Sequence, residues 1–267
     1  MSEGLFTGER LPGGGDAEFG VDMARHMAAY DFAATRAAGR SVLDAGCGEG
    51  YGAARLADVA REVVGVDRAE PIAVARARHH HPRLAFEVTD LERLDTLGRR
   101  FELVVSFQVI EHLVDPVGFL RALAARTAAG GELVVTTPNR LMSVSENPYH
   151  LREWTAPELL ALAVPLLPGV DVQGMHGSTR VLAYERARGE QVQRILRLDP
   201  LGLRTLLPGF IVRGVFPRLA RLVRRRVGAG GAIPDVGPAD FAVHGRDLER
   251  ALDLVLLAHI GEEGPRA

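Results

Sequence analysis

Apolar positions along this chain follow two periods in alternation. Over 21–38 (VDMARHMAAYDFAATRAA) they recur at helical spacing, which predicts an opening helix. Short apolar runs then follow, each with a helical stretch behind it. Ser41–Asp44 (SVLD), Glu62–Asp67 (EVVGVD), Leu84–Val88, Phe101–Phe107 (FELVVSF) and Gly131–Thr137 (GELVVTT) read as strands. Gly52–Val59, Pro71–His80 and Pro116–Thr127 read as the helices among them, and proline suits the first turn of the last two. Such alternation predicts a parallel sheet covered on both faces.

Further along, Ala156–Leu167 reads as a helix with Thr155 as its N-cap and Pro157 in its first turn. Val170–His176 is a sixth strand. Leu252–His259 (LDLVLLAH) is the last, after a short helical stretch near Asp247–Ala251. The expected fold is therefore α/β: a doubly wound, seven-stranded, mostly parallel sheet. Its last strand is expected to be antiparallel, with a helical insertion before it. The expected organisation is an arm and helix over 1–38, the main domain over 39–176 and 239–267, and an insertion over 177–238.

The insertion has no acid between Asp199 and Asp235. It holds Arg204, Arg213, Arg218, Arg221, Arg224, Arg225 and Arg226, with Val212, Val215, Phe216, Leu219, Leu222 and Val223 at helical spacing. Two readings stand: a lid or homodimer contact, or peripheral contact of 204–226 with an anionic membrane.

Composition narrows the class. The chain has 267 residues, 47% hydrophobic and 25% charged, which is the globular range. A net charge of -2 gives no reason to expect nucleic acid as a partner. One cysteine, Cys47, excludes an internal disulfide and suits a reducing cytoplasm, the expected location. The opening residues lack the basic and apolar regions of a secretory signal, and no apolar run is long enough to span a membrane. Every basic residue is arginine, so no lysine serves as base or Schiff-base nucleophile.

The first strand runs into VLDAGCGEGYG, with Gly46, Gly48 and Gly50 spaced G-x-G-x-G before a helix. Glycine permits a sharp turn and a close ligand. The dinucleotide fingerprint G-x-G-x-x-G has its third glycine one residue later. Here Asp44 and Glu49 flank the loop; they would repel a pyrophosphate and suit a ligand with an ammonium and a sulfonium. A tight turn without a ligand is the plainer alternative.

VLDAGCGEG resembles motif I of the class I S-adenosylmethionine-dependent methyltransferases, and the resemblance covers roughly 40–175 and 240–260. It implies S-adenosylmethionine as cofactor and S-adenosylhomocysteine as product. Asp44, Gly46, Cys47, Gly48 and Gly50 would then line the methionine part. Asp67, which ends the second strand, would accept from the ribose diol, with Arg68 beside it. Asp90 and Leu91 would meet the adenine, and Ser106, Phe107 and Gln108 would lie at the carboxyl end of the fourth strand. Helix capping by Asp67 and loop capping by Asp90 are the alternatives.

VVSFQVIEHLVDP is similar to the S-x-x-V-I-E-H-L-x-D-P signature of one branch of that family, with Gln108 where many relatives have glutamate. Beyond the fifth strand, TPNRLMSVSENPYHLREWTAPEL crowds Asn139, Glu146, Asn147, Tyr149, His150 and Arg152 into one loop. Its T/S-P-N-R and N-P-[YF]-H-x-[RK]-E patterns resemble methyltransferases associated with sugars and cell-surface glycans. By the same resemblance the N-terminal segment folds over the cofactor, adding Glu9, Arg10, His26 and Tyr30 as secondary candidates.

A hydroxyl acceptor needs a base. The expected base is His150, oriented by Glu146 or Glu111, while His112 either contacts the acceptor or only orders its loop. Asn139, Asn147, Tyr149 and Arg152 are the expected acceptor contacts. A divalent metal held by acids and histidines stays open, although no strict metal spacing appears. His79–His81 reads as a solvated helix end. Four functions remain: a saccharide O-methyltransferase, a quinone or phenol O-methyltransferase, a nucleotide-binding oxidoreductase, and a non-catalytic binding protein.

Overall fold

The computed structural model describes residues 19–143, 147, 149–196 and 234–261. Its strands are β1 (Ser41–Ala45), β2 (Glu62–Asp67), β3 (Leu84–Val88), β4 (Phe101–Phe107), β5 (Thr127–Pro138), β6 (Val170–Gly177), β7 (Phe241–His244) and β8 (Asp253–His259). They form one sheet in the order β3-β2-β1-β4-β5-β8-β6-β7. The five strands β1 to β5 pair in parallel, and β8 is antiparallel to both β5 and β6. The described helices are α1 (Gly20–Ala37), α2 (Tyr51–Ala57), α3 (Ala69–Arg78), α4 (Pro116–Arg126), α5 (Ala156–Ala163) and α6 (Thr179–Leu196).

All five residues of β1 are buried, as expected of a strand covered on both faces. Alternate side chains feed two separate cores. Val42, Leu103, Val105 and Val134 meet α1, α2 and α3 on one side. Leu43, Val104, Leu133 and Val135 meet α4 and α5 on the other. Each such side chain contributes about 1.5–3 kcal/mol by leaving water. Pro157 sits in the first turn of α5, and Thr155 closes a capping box with Glu158.

The strand order reverses direction beside β1, because β2 lies on one flank and β4 on the other. Open α/β sheets bind ligands at such a switch point, outside the carboxyl ends of the strands. The loop after β1 and the loop after β4 flank that crevice.

The sheet has eight strands rather than the expected seven. The additional one, β7, is only four residues (FAVH) and pairs with β6 alone. Glycines bracket it at 237 and 245, so a run this short carries no readable period. The last strand is antiparallel, as expected. The stretch before it is a 3-10 turn, Leu248–Arg250.

Within 177–238, α6 buries Val181 and Tyr184 against the first core. It is tied to α1 by Arg188, which reaches Asp22 at 3.1 Å and Glu185 at 3.3 Å. The arginines from 204 to 226 lie outside the described residues. No described helix is long and apolar enough to cross a membrane.

Candidate functional site

Beyond β1 the backbone turns through Gly46, Gly48 and Gly50 with φ of 85°, 55° and 84°. Side chains rarely adopt these values. At Gly50 a Cβ would lie 2.6 Å from Phe86 and 2.8 Å from Ala75, so space and backbone both demand glycine. The Gly46 and Cys47 N–H groups donate to the Val66 carbonyl at 2.8 and 3.1 Å. Gly48 N–H donates to Asp67 Oδ2 at 2.9 Å, and Arg68 N–H donates to Oδ1 at 2.7 Å. Asp67 thereby fastens the loop after β1 to the loop after β2.

Asp44 is buried at the root of the glycine loop and accepts from the Tyr30 hydroxyl at 3.1 Å. Burial pushes its carboxyl up to about 7, against the pull of that hydrogen bond, and Asp67 adds to the rise. Tyr30 reaches Asp44 across Gly52, where a Cβ would sit 1.9 Å from the ring. His26 and Phe107 pack around it with ring centroids at 5.3 and 4.8 Å. Burial, with help from Arg25, lowers His26 to about 4 and leaves it neutral at pH 7. Cys47 is buried and packs against Gly65. Glu49, expected to face a cationic ligand, is ion-paired with Arg78 instead.

At the end of β4 the backbone of Gln108 takes φ 56° and donates to the Thr136 carbonyl at 3.0 Å. A left-handed conformation at a non-glycine residue costs on the order of 1–3 kcal/mol and gathers at functional sites. The 3-10 turn Ile110–His112 follows. Glu111 is fully buried; its Oε2 accepts from Thr137 at 3.0 Å, and its Oε1 finds no partner among the described residues. Burial pushes this carboxyl up to about 7, opposed in part by His150. The Glu111 carbonyl accepts from Leu151 and Arg152 N–H at 2.7 and 3.3 Å, which stitches the 147–152 segment to the turn.

The two histidines meet edge-on with ring centroids 4.9 Å apart. His112 Nδ1 lies 2.9 Å from the Tyr149 carbonyl. A carbonyl only accepts, so Nδ1 carries the proton in neutral His112 and Nε2 carries the lone pair. His150 Nδ1 lies 2.5 Å from Glu153 Oε1. Its Nε2 faces Asn147 Nδ2 at 2.9 Å. Asn147 Oδ1 accepts from Tyr149 N–H at 3.1 Å, which orients the amide with its NH2 toward His150. Burial opposes ionisation of Glu153, but hydrogen bonds from His150 and Ser143 outweigh it and lower its carboxyl. Glu111, His112 and His150 each offer a ligand atom within 4.8 Å of one another, a geometry open to a metal ion.

The structure thus gathers Glu111, His112, His150, Asn147 and Tyr149 in one place. Leu91 lies beside the glycine loop near Gly46. Other expected site residues also make contacts within the fold. The Ser106 hydroxyl donates to the Ala45 carbonyl at 2.7 Å. Asn139 Nδ2 donates to the Leu248 and Ala251 carbonyls at 2.9 and 2.8 Å. Asp90 accepts from Glu92 N–H at 3.1 Å as a cap. The Arg152 guanidinium lies over Trp154 at 5.7 Å. Glu146, Glu9 and Arg10 lie outside the described residues. Sequence reasoning missed Thr137 as a partner of Glu111, and Glu153. The latter was visible three residues after His150, within the N-P-Y-H-x-R-E pattern.

A family model described as a methyltransferase domain matches residues 23–166. A protein of Mycobacterium tuberculosis named "Probable S-adenosylmethionine-dependent methyltransferase" is 34% identical over 88% of this chain and 82% of its own length. A similarly named protein of Mycolicibacterium smegmatis is 43% identical, and the match spans 58% of this chain but only 62% of that relative. A ubiquinone biosynthesis O-methyltransferase of Ruegeria pomeroyi is 36% identical over 39% of this chain and 43% of its own length. Among solved structures, the [4+2]-cyclase SpnF superposes with a TM-score of 0.52 at 20% identity, over 87% of this chain and 80% of that one. This last likeness concerns the fold alone.

Proposed function

The chain belongs to the S-adenosylmethionine-dependent methyltransferases, and from that premise we propose that it methylates a hydroxyl oxygen of a saccharide or glycosylated metabolite. What carries the reading is the cluster of His112, His150 and Glu111 outside the carboxyl ends of β4 and β5. A hydroxyl is a weak acid, and a neutral imidazole is the base suited to it near pH 7. The expected base was His150, but its Nε2 accepts from Asn147. His112, whose Nδ1 is held by the Tyr149 carbonyl, is the second histidine of the cluster, and this reading gives it the acceptor's proton. His150, held by Glu153 and Asn147, packs against His112 and keeps it in place.

The cofactor supplies an activated methyl group on a cationic sulfur. The chain's residues fit such a ligand. Buried Asp44 with Tyr30 suits its positive charge, Asp67 suits the ribose diol, and a Cβ at Gly48 would meet nothing within 4 Å. The remaining task is alignment: oxygen, methyl and sulfur in line, with water kept out. Oxygen acceptance also finds support in the ubiquinone O-methyltransferase likeness, although that match is partial and makes a phenolic acceptor the rival.

A second reading is favoured by the convergence of Glu111, His112 and His150 within 4.8 Å. A divalent cation held there would polarise an acceptor hydroxyl. Dialysis against a chelator separates the two, since activity under the first reading survives it.

The test is tritiated-methyl transfer from S-adenosylmethionine across panels of saccharides and phenols. Label should enter a saccharide as an ether. The variant His112→Ala should lose about 100-fold or more in kcat while cofactor affinity stays within about threefold. Label confined to phenols rejects the saccharide, and full activity in the variant rejects the base.

A further inference from the structure

The methyl donor has a carboxylate at its amino-acid end as well as an ammonium. Asp44 and Asp67 suit its cations and its diol, and each would repel that carboxylate. The backbone of the glycine loop has little to offer it, because the N–H groups of Gly46, Cys47, Gly48 and Gly50 all donate within the chain. Arg78 is ion-paired with Glu49, and Arg25 with Asp22 and Asp253.

Two side chains beside the loop have hydrogen-bonding tips left over. His26 of α1 and Tyr51, the first residue of α2, meet edge-on with ring centroids 5.6 Å apart. Both keep part of their surface exposed. Neither the His26 ring nitrogens nor the Tyr51 hydroxyl makes a hydrogen bond among the described residues. Tyr30 differs, since its hydroxyl is held by Asp44. The rings brace one another: His26 lies 5.3 Å from Tyr30 and 6.5 Å from Phe107, and Tyr30 lies 6.2 Å from Tyr51. Phe107 ends β4, so this frame stands beside both loops of the crevice.

Both tips are donors at neutral pH. Burial, and then Arg25, lowers His26 and leaves it neutral with one N–H. Burial, and then the charges of Asp44 and Glu49, pushes the Tyr51 hydroxyl up, so it keeps its proton. A hydroxyl and an imidazole N–H on touching rings suit a group that only accepts, and hydrogen bonds to a charged acceptor are the strong ones.

We propose that His26 and Tyr51 together bind the carboxylate of the cofactor's amino-acid end. Asp44 and Tyr30 answer the positive charge, and the other two rings answer the negative one. The packing of the rings holds both donors in place before the cofactor arrives. The protein is then selective for a donor with a complete amino-acid end. This rests on the cofactor fit given above and not on the choice of acceptor.

The experiment is calorimetry on the full-length chain with S-adenosylmethionine and its decarboxylated analogue, which keeps the adenosine, the sulfonium and an amine. The wild type should bind the analogue at least about 30-fold more weakly. Tyr51→Phe, which removes one oxygen, should weaken S-adenosylmethionine about tenfold and change the analogue by less than about twofold. His26→Phe, which keeps a ring in the frame, should behave alike, and the double variant should lose about 100-fold for S-adenosylmethionine alone. Thermal unfolding should show Tyr51→Phe with the wild-type Tm, as loss of an unpartnered hydroxyl requires. Equal affinity of the wild type for the two ligands overturns the proposal. So does an unchanged affinity for S-adenosylmethionine in Tyr51→Phe, or an equal loss for both ligands. If His26→Phe does not fold, Tyr51→Phe decides alone. Label transfer to saccharides is read separately, so failure here leaves the O-methyltransferase reading standing.

Discussion

The two loops that flank the crevice treat their polar groups differently. Around the glycine loop the chain satisfies itself. Val66 takes two N–H groups, Asp67 takes two more, and Tyr30 covers Asp44. Around the Ile110–His112 turn it does not. Glu111 Oε1 and Asp253 Oδ1 lack partners among the described residues, Gln108 is held in a strained conformation, and Val114, Leu141 and Leu151 are exposed. Under the proposed function the contrast has a simple cause. A side that grips one invariant cofactor can be preformed, whereas the side that takes the acceptor keeps groups unsatisfied until it arrives.

Gly52→Val attacks the preformed side and should have the largest effect. Its side chain would overlap the Tyr30 ring and expel Tyr30 from Asp44. Overpacking costs about 1–3 kcal/mol, a Tm drop of roughly 3–10 °C. Calorimetry should show cofactor affinity falling about 100-fold, and intact affinity would mean the Tyr30–Asp44 contact is irrelevant to binding. Glu153→Gln probes the other side. It weakens the hold on His150 and should lower kcat about tenfold, with cofactor affinity unchanged. Equal losses in both quantities would erase the division between the sides.

The smallest effect is on pH dependence. Glu111 is raised in the folded protein from an ordinary 4.5 to about 7. A raised carboxyl favours folding while protonated, so its contribution is complete below about 4.5 and disappears as pH climbs through 7. Thermal unfolding between pH 5 and 8 should therefore show Tm falling, and Glu111→Gln should flatten part of that slope. Asp44, also raised to about 7, adds to the fall, and His26, lowered from 6.5 to about 4, opposes it at the acid end. A slope identical to wild type would remove Glu111 from the account.

Much of the glycine-loop side was legible in the sequence, because its parts are local. Asp44, the three glycines and Asp67 sit at the ends of strands whose apolar runs announce them. The contact between Tyr30 and Asp44 was hidden, since it joins a helix to a strand by packing alone. The other side was legible as a crowd of polar residues, but not in its wiring. Asn139 looked like an acceptor contact and instead clasps the chain before β8. Asp253 gave no local signal, because its neighbours Gln108 and Arg25 are brought to it only by the sheet order and by α1. The four-residue β7 was unreadable for want of length.

That sheet order also bears on how the molecule is made. Chain order runs β5, β6, β7, β8, yet β8 lies between β5 and β6. On a ribosome β6 and β7 emerge while the edge of β5 still lacks its neighbour. Both wait for the stretch beginning at Asp253 to slide between them. Asp253 is thus the first residue of the strand that closes the sheet, so this part of the sheet takes shape last.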